Sequence, residues 1–148
     1  MTQTHTPNDA LSLAQAQALL LPFYAAFDDP ASKDTRALVE AALSADWCSY
    51  SNDKEFKGRE AFIQGVQGMA KMVPNMRWRV EEILVSGQRA IVRSIVSGTP
   101  QGQFMGMPVS GQASFSVMAI DIHTIVDGRS AVVHHVEDWA SAMRQLKS

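Results

Sequence analysis

The chain has a single cysteine, Cys48, so no intrachain disulfide can form and the composition suits a reducing compartment. A lone cysteine of this kind reads as a small apolar residue before it reads as a nucleophile. Charge of neither sign dominates. Thirteen Lys and Arg against 15 Asp and Glu leave a formal net charge of -2, which gives no electrostatic footprint for nucleic acid. No apolar run approaches the roughly 18 residues of a membrane span. The segment from Met1 to Asp9 has neither the basic start nor the apolar core of a secretory signal, so a cytoplasmic location is the expectation. A Gly-rich phosphate loop and a Ser-His-Asp order are also missing. What remains is ordinary in bulk: 148 residues, 46% apolar and 19% charged, enough for one domain with a real core.

The order of patterns along the chain predicts an α+β fold. Residues 1–9 are polar and read as a disordered N-terminus, leaving 10–148 as a single domain. Apolar residues at helical spacing predict helices over about 10–27, 33–43 and 59–73. Asp9 is the expected cap of the first, Ser32 or Asp34 of the second, and Pro22 should kink or restart the first. Trp47 to Tyr50 reads as a short strand and Ser51 to Lys57 as a loop. After Pro74 the period changes to two. Strands are expected from Met76 to Val85, from Gln88 to Gly98, from Gln112 to Val126 and from Arg129 onward. Thr99 to Gly111 reads as a long loop whose Phe104, Met105 and Met107 could lid a pocket. Trp139 to Leu146 can close the chain as a last turn of helix or as strand. Helices over one face of a curved antiparallel sheet would enclose a pocket wherever they fail to fill it.

The chemistry concentrates at the last hairpin. Asp127-Gly128 between alternating apolar runs is a strong two-residue turn signal. Counting back from it places position 121 opposite 134, so Asp121, His123, His134 and Asp138 share a face with Phe115, Val117 and Val136. A carboxylate across from an imidazole amid apolar neighbours suggests an acid/base pair, Asp121 with His134. Desolvation should raise the pKa of Asp121, unless Arg93 reaches it and lowers the value instead. By the turn at Ser86-Gly87, Arg93 shares a face with Trp78 and Val80, where it could hold an anion or pair with Asp121 or Asp138. The same pattern also allows a purely structural ion pair, and Asp138 could simply cap a final helical turn. His123, His134 and Asp121 could in principle hold a metal, but the adjacent His134 and His135 point to opposite faces, and neither metal nor cofactor is expected.

Several segments resemble the SnoaL-like polyketide cyclases of the nuclear transport factor 2-like superfamily. They are Gly58-Arg-Glu-Ala-Phe62, Pro74-Asn-Met-Arg77, Val92-Arg93, Gly98-Thr99, Gly102-Gln-Phe-Met-Gly-Met-Pro108, Gly111, Ile120-Asp-Ile-His123, Asp127-Gly-Arg129 and His134-His-Val-Glu-Asp138. The resemblance implies a cone-shaped α+β fold, three N-terminal helices over a curved antiparallel sheet, usually as a homodimer. It also implies ring closure of a polyketide by an intramolecular aldol reaction without cofactor, with Asp121 at the place of the acid/base. The chain departs from the family pattern at Pro100, where a histidine is usual, at His134, where tryptophan is usual, and at Arg129-Ser130.

The expected ligand is a small hydrophobic, carbonyl-bearing molecule. Its pocket should be lined by Trp78, Phe115, Val117, Val136, Phe23, Phe27 and Phe62, with Trp47 and Tyr50 near the mouth. Arg93, His123, Asp138, Phe104 and Met107 are further candidates for contact with it. Two other functions fit the same residues: non-catalytic binding of a small ligand, and epoxide hydrolysis through Arg93, Asp121 and Asp138. The outer hairpin face, with Ser114, Ser116, Met118, Ile120, Ile122 and Thr124, is apolar enough to predict a homodimer packed through the sheet.

Overall fold

The computed structural model describes residues 10–54 and 56–147. The expected disordered segment 1–9, and Asp9 as a cap, lie outside the described residues.

Three helices lie in the first half of the chain, α1 (Leu13–Ala25), α2 (Thr35–Ala42) and α3 (Arg59–Met72), with two strands between the second and the third. Ser12 caps α1, in a reciprocal box in which Ser12 Oγ accepts from the Gln15 amide and the Gln15 side chain accepts from the Ser12 amide. The helix runs unbroken through Pro22, close to its C-terminal end. Its buried residues Ala16, Leu20, Phe23 and Tyr24 recur at helical spacing and form the stripe that faces the sheet. Asp34 caps α2 through the Ala37 amide.

Six strands form the large sheet: β1 (Leu43–Tyr50), β2 (Phe56–Gly58), β3 (Arg77–Ser86), β4 (Arg89–Gly98), β7 (Phe115–Val126) and β8 (Arg129–Glu137). Their order is β2-β1-β8-β7-β4-β3. A separate two-stranded hairpin, β5 (Gln103–Phe104) with β6 (Met107–Pro108), interrupts the long loop, and a fourth helix, α4 (Trp139–Leu146), closes the chain.

The α+β architecture therefore holds, with two departures from the sequence reading. The sheet is mixed, because β1 runs parallel to β8 while the other neighbours are antiparallel. Part of the expected loop from Ser51 to Lys57 is edge strand β2. Of the two forms expected for the C-terminal segment the helix is the one found, over two turns, and Asp138 caps it through Ser141.

Two slips of register decide which residues face inward. The Asp127-Gly128 turn forms as expected, with positive φ at both residues (50° and 75°) and Val126 opposite Arg129. Ile125 lies opposite Ser130, but Thr124 then lies opposite Val132, so Ala131 is an extra residue, a β-bulge. Beyond it, His135 faces Asp121 across the ladder, and His134 faces Ile122. A second bulge at Glu81 puts Val80 opposite Ser94 and Glu82 opposite Arg93. The inner sheet face thus carries Trp78, Val80, Val92, Ser94, Val96, Asp121, His123, Val133, His135 and Glu137, with the helices packed over it.

Candidate active site

Between helices and sheet lies a cavity of about 300 Å³. Phe23 and Phe27 of α1, Phe62 of α3, Trp47 of β1, Trp78 of β3 and Trp139 of α4 form most of its wall. Phe23, Phe27 and Phe62 pack on one another with ring centroids 4.9–6.0 Å apart, within the range of favourable aromatic contacts.

Polar groups enter this wall from β7 and β8. Asp121 is 4% exposed and accepts two hydrogen bonds. Tyr24 Oη donates to its Oδ2 at 2.6 Å, and His135 Nδ1 donates to its Oδ1. The other ring nitrogen of His135, Nε2, lies 3.0 Å from Glu137 Oε1. His135 therefore stands between two carboxylates.

The directions of the remaining bonds follow from their ends. A tryptophan N–H only donates and a carboxylate only accepts. Trp47 Nε1 donates to Ser130 Oγ at 3.3 Å, Ser130 Oγ donates to His123 Nδ1 at 2.9 Å, and His123 Nε2 donates to Tyr24 Oη at 2.8 Å. Tyr24 in turn donates to Asp121. This assignment makes His123 neutral with its proton on Nε2, and every donor in the chain points toward Asp121.

Electrostatics agree with that order. Burial lowers the pKa of His123 to about 4, which keeps it neutral. For Tyr24, burial first and the adjacent Asp121 charge second raise the pKa well above its ordinary value, so the phenol keeps its proton. In His135 burial opposes the charge, but the hydrogen bonds to Asp121 and Glu137 prevail and raise the pKa to about 10. Burial likewise pushes Asp121 up, yet the bond from His135 and the neighbouring histidines outweigh it and hold the carboxyl below its usual range. Asp121 and His135 are thus an ion pair at neutral pH. The expected rise in the Asp121 pKa is not found, and the group that lowers it is His135, not Arg93.

Of the sequence-predicted site residues, Asp121, His123, Trp47, Trp78, Phe23, Phe27 and Phe62 line the cavity. The others go elsewhere. His134 is exposed on the outer face, where its ring stacks on Tyr50 at 5.5 Å; the Ala131 bulge puts His134 there, and Tyr50 lies on the side of β1 opposite to the cavity-lining Ser49. The same bulge leaves Val136 on the outer face, 63% exposed. Arg93 also faces outward, pairing with Glu82 at 2.7 Å, because the Glu81 bulge separates its face from that of Trp78. Asp138 is occupied as the cap of α4. Val117 is core. Phe115 and Phe104 stack on each other and meet Trp139 edge to face, so Trp139 stands between that cluster and the cavity. Met107 packs against the core beside them. The trio needed for epoxide hydrolysis is not assembled, since Arg93 and Asp138 are both absent from the cavity wall.

Four polar participants escaped the sequence reading: Tyr24, Ser130, His135 and Glu137. Tyr24 had a legible signal, a phenol on the buried stripe of α1 whose hydroxyl needs a partner. His135 and Glu137 had none, because only the bulge brings them inward.

The arrangement has counterparts of known structure. TsrD from Streptomyces laurentii superposes with a TM-score of 0.79 at 29% identity, over 92% of this chain and 97% of its own. AclR from Streptomyces galilaeus, a candidate hydroxylase, gives 0.78 at 26% identity, over 92% of this chain and 98% of its own. IdmH from Streptomyces antibioticus, a candidate polyketide cyclase, gives 0.77 at 21% identity, over 90% and 99%, which speaks to the fold alone. No curated protein matches the chain. The family model for SnoaL-like polyketide cyclases matches residues 18–146, nearly all of the described fold and every polar residue of the cavity network, and the chain belongs to that family.

Proposed function

We propose that this protein is a cofactor-independent enzyme that closes or rearranges a ring in a small carbonyl-bearing substrate by acid/base catalysis. One observation carries the reading: an ionised Asp121, tied through His135 to Glu137, on the wall of a cavity lined by six Phe and Trp side chains. Asp121 takes a proton from the carbon beside a carbonyl. That carbon attacks a second carbonyl of the same molecule, one carbon–carbon bond forms, and the proton returns to the new alkoxide. No oxidant or reductant is needed. Since Asp121 and His135 are hydrogen-bonded titratable groups, the basicity belongs to the pair rather than to the aspartate alone. His135 holds the charge in place, and Tyr24 with His123 fixes the orientation of the carboxylate.

The test uses aryl 1,3-dicarbonyl compounds in D₂O, with mass spectrometry to count exchanged α-hydrogens and detect ring closure. Wild-type protein should accelerate exchange, and Asp121→Asn should lose about 10²- to 10⁴-fold of that acceleration while keeping its circular dichroism. An Asn variant that exchanges as fast as wild type overturns the assignment.

The completeness of the network favours one second reading, binding of a small ligand without turnover, in which Asp121 only shapes the wall. Ligand binding with no exchange by wild type selects it. The enzyme is further proposed to act in the cytoplasm as a homodimer joined through the outer face of the sheet.

A further inference from the structure

Among the polar groups that line the cavity, Lys57, Ser49 and Ser51 have no part in the Asp121 network. Strand β2 pairs with the edge of β1 so that Lys57 lies opposite Ser49, Ser49 opposite Val133, and Val133 opposite His123. All four line the cavity, so one row of the inner face runs from an ammonium at the sheet edge to the buried histidine. His135 is the next inward position along β8. Lys57 Nζ lies 3.7 Å from the point where a Cβ on Gly65 would stand, which places the ammonium against α3 at the mouth. A Cβ at position 65 would meet it at ordinary van der Waals distance.

Charge then dictates how an anionic ligand must enter. The carboxylates on the wall among the described residues, Asp121 and Glu137, both engage His135, and neither forms an ion pair with Lys57. An anionic group placed deep in the cavity would meet these two like charges against the single His135 cation that both already engage. Placed at the mouth it meets Lys57, and the serines at positions 49 and 51 stand beside it. From β2 to β8, which carries His135, there are two strand intervals, and Asp121 reaches back from β7 to His135, so the two ends of such a ligand are separated by about 10 Å. Two fused six-membered rings with substituents at opposite ends span that distance, and the aromatic walls suit their faces.

We infer that the substrate is an aromatic keto acid of about two fused rings, its carboxylate on Lys57 and its reacting carbonyl end at Asp121 and His135. This rests on the reading of the cavity as a substrate site and adds the class of molecule it takes.

The probes are 6-acetyl-2-naphthoate, its methyl ester and 2-acetylnaphthalene, with affinities measured by ligand-detected NMR on wild type and on Lys57→Met. Wild type should bind the acid roughly fivefold tighter than the ester, the size expected of one partly exposed charge contact. Raising the salt should shrink that preference. Lys57→Met should abolish it and leave the ester affinity unchanged. Equal affinity for acid and ester, a preference that survives in Lys57→Met, or no binding of any probe overturns the inference. Deuterium exchange at the acetyl methyl group in the same samples separates the two claims. Preference without exchange removes the catalytic reading alone, and exchange without preference removes the keto-acid inference alone.

Discussion

Tyr24 spends one hydroxyl on two partners, donating to Asp121 at 2.6 Å and accepting from His123 at 2.8 Å. Tyr24→Phe leaves both of those buried groups a bond short, so it should destabilise the protein by about 1–3 kcal/mol in chemical denaturation. A variant as stable as wild type would show that the network does not hold the fold together. The two histidines respond to pH with opposite sign. His135 has a folded pKa raised from 6.5 to about 10, so its contribution to stability is complete below about 6.5 and is lost as pH climbs through 10. His123, lowered to about 4, resists the charge it would take up in the unfolded chain, so stability falls as pH drops from about 6.5 toward 4. Asp121, held below its ordinary 3.8, adds a further loss as pH falls through its folded value. Thermal unfolding across this range should therefore peak near neutrality. His135→Gln should flatten the alkaline side, whatever it does to the absolute melting point, and an unchanged alkaline slope would refute the ion pair.

At the scale of elements, the three helices, the long strands and the final hairpin turn were all legible, because periodicity and turn chemistry are local. Inner and outer faces were legible only as far as the first irregularity. The even positions Val132 and Val136 look like the core side of β8, whereas the true inner face carries Val133, His135 and Glu137. Alternation misleads here because the cavity wants polar residues where a core would want apolar ones. One extra residue, Ala131, then reverses the reading, and nothing in Ser130-Ala131 marks it. Deleting Ala131 removes the bulge yet leaves His135 opposite Asp121, because Val132 already lies opposite Thr124, so α-exchange should persist. Loss of exchange in the deletion variant would show that the local shape of the bulge, and not only its one-residue offset, positions the site. The close of β4 is set more rigidly. A Cβ at Gly98 would stand 2.3 Å from Val73 Cγ1, just past the end of α3, and valine has little rotamer freedom to yield. Gly98→Ala should cost about 1–3 kcal/mol of stability through overpacking, read by urea unfolding. A neutral substitution would mean that helix and strand can separate there at no expense.

The molecule as a whole is two-sided. Helices cover the inner face of the sheet, and the outer face keeps apolar side chains in adjacent ladder positions: Leu84 beside Ile91, Ile91 beside Ile122, Ile95 beside Met118, Ile120 beside Val136. Leu84, Met118, Ile120 and Val136 are 53%, 44%, 37% and 63% exposed, a clustering that isolated surface hydrophobes do not show. Arg93 and Glu82 pair across this same face, so its charge is already balanced locally and does not oppose a second copy. A two-fold contact brings one such patch against another, and side chains in the middle of the patch then approach their own equivalents. Ile120 is central, flanked by Arg93 on β4 and Val136 on β8. Light scattering at micromolar concentration should give twice the 16.2 kDa chain mass for wild type. Ile120→Glu should shift it toward the monomer, because two buried glutamates would face each other without a counter-charge. The inner face lies on the far side of the sheet, so the variant should keep its affinity for the naphthoate probe. A wild type that remains a monomer, or an Ile120→Glu protein that dimerises as tightly as before, would place the interface elsewhere or remove it.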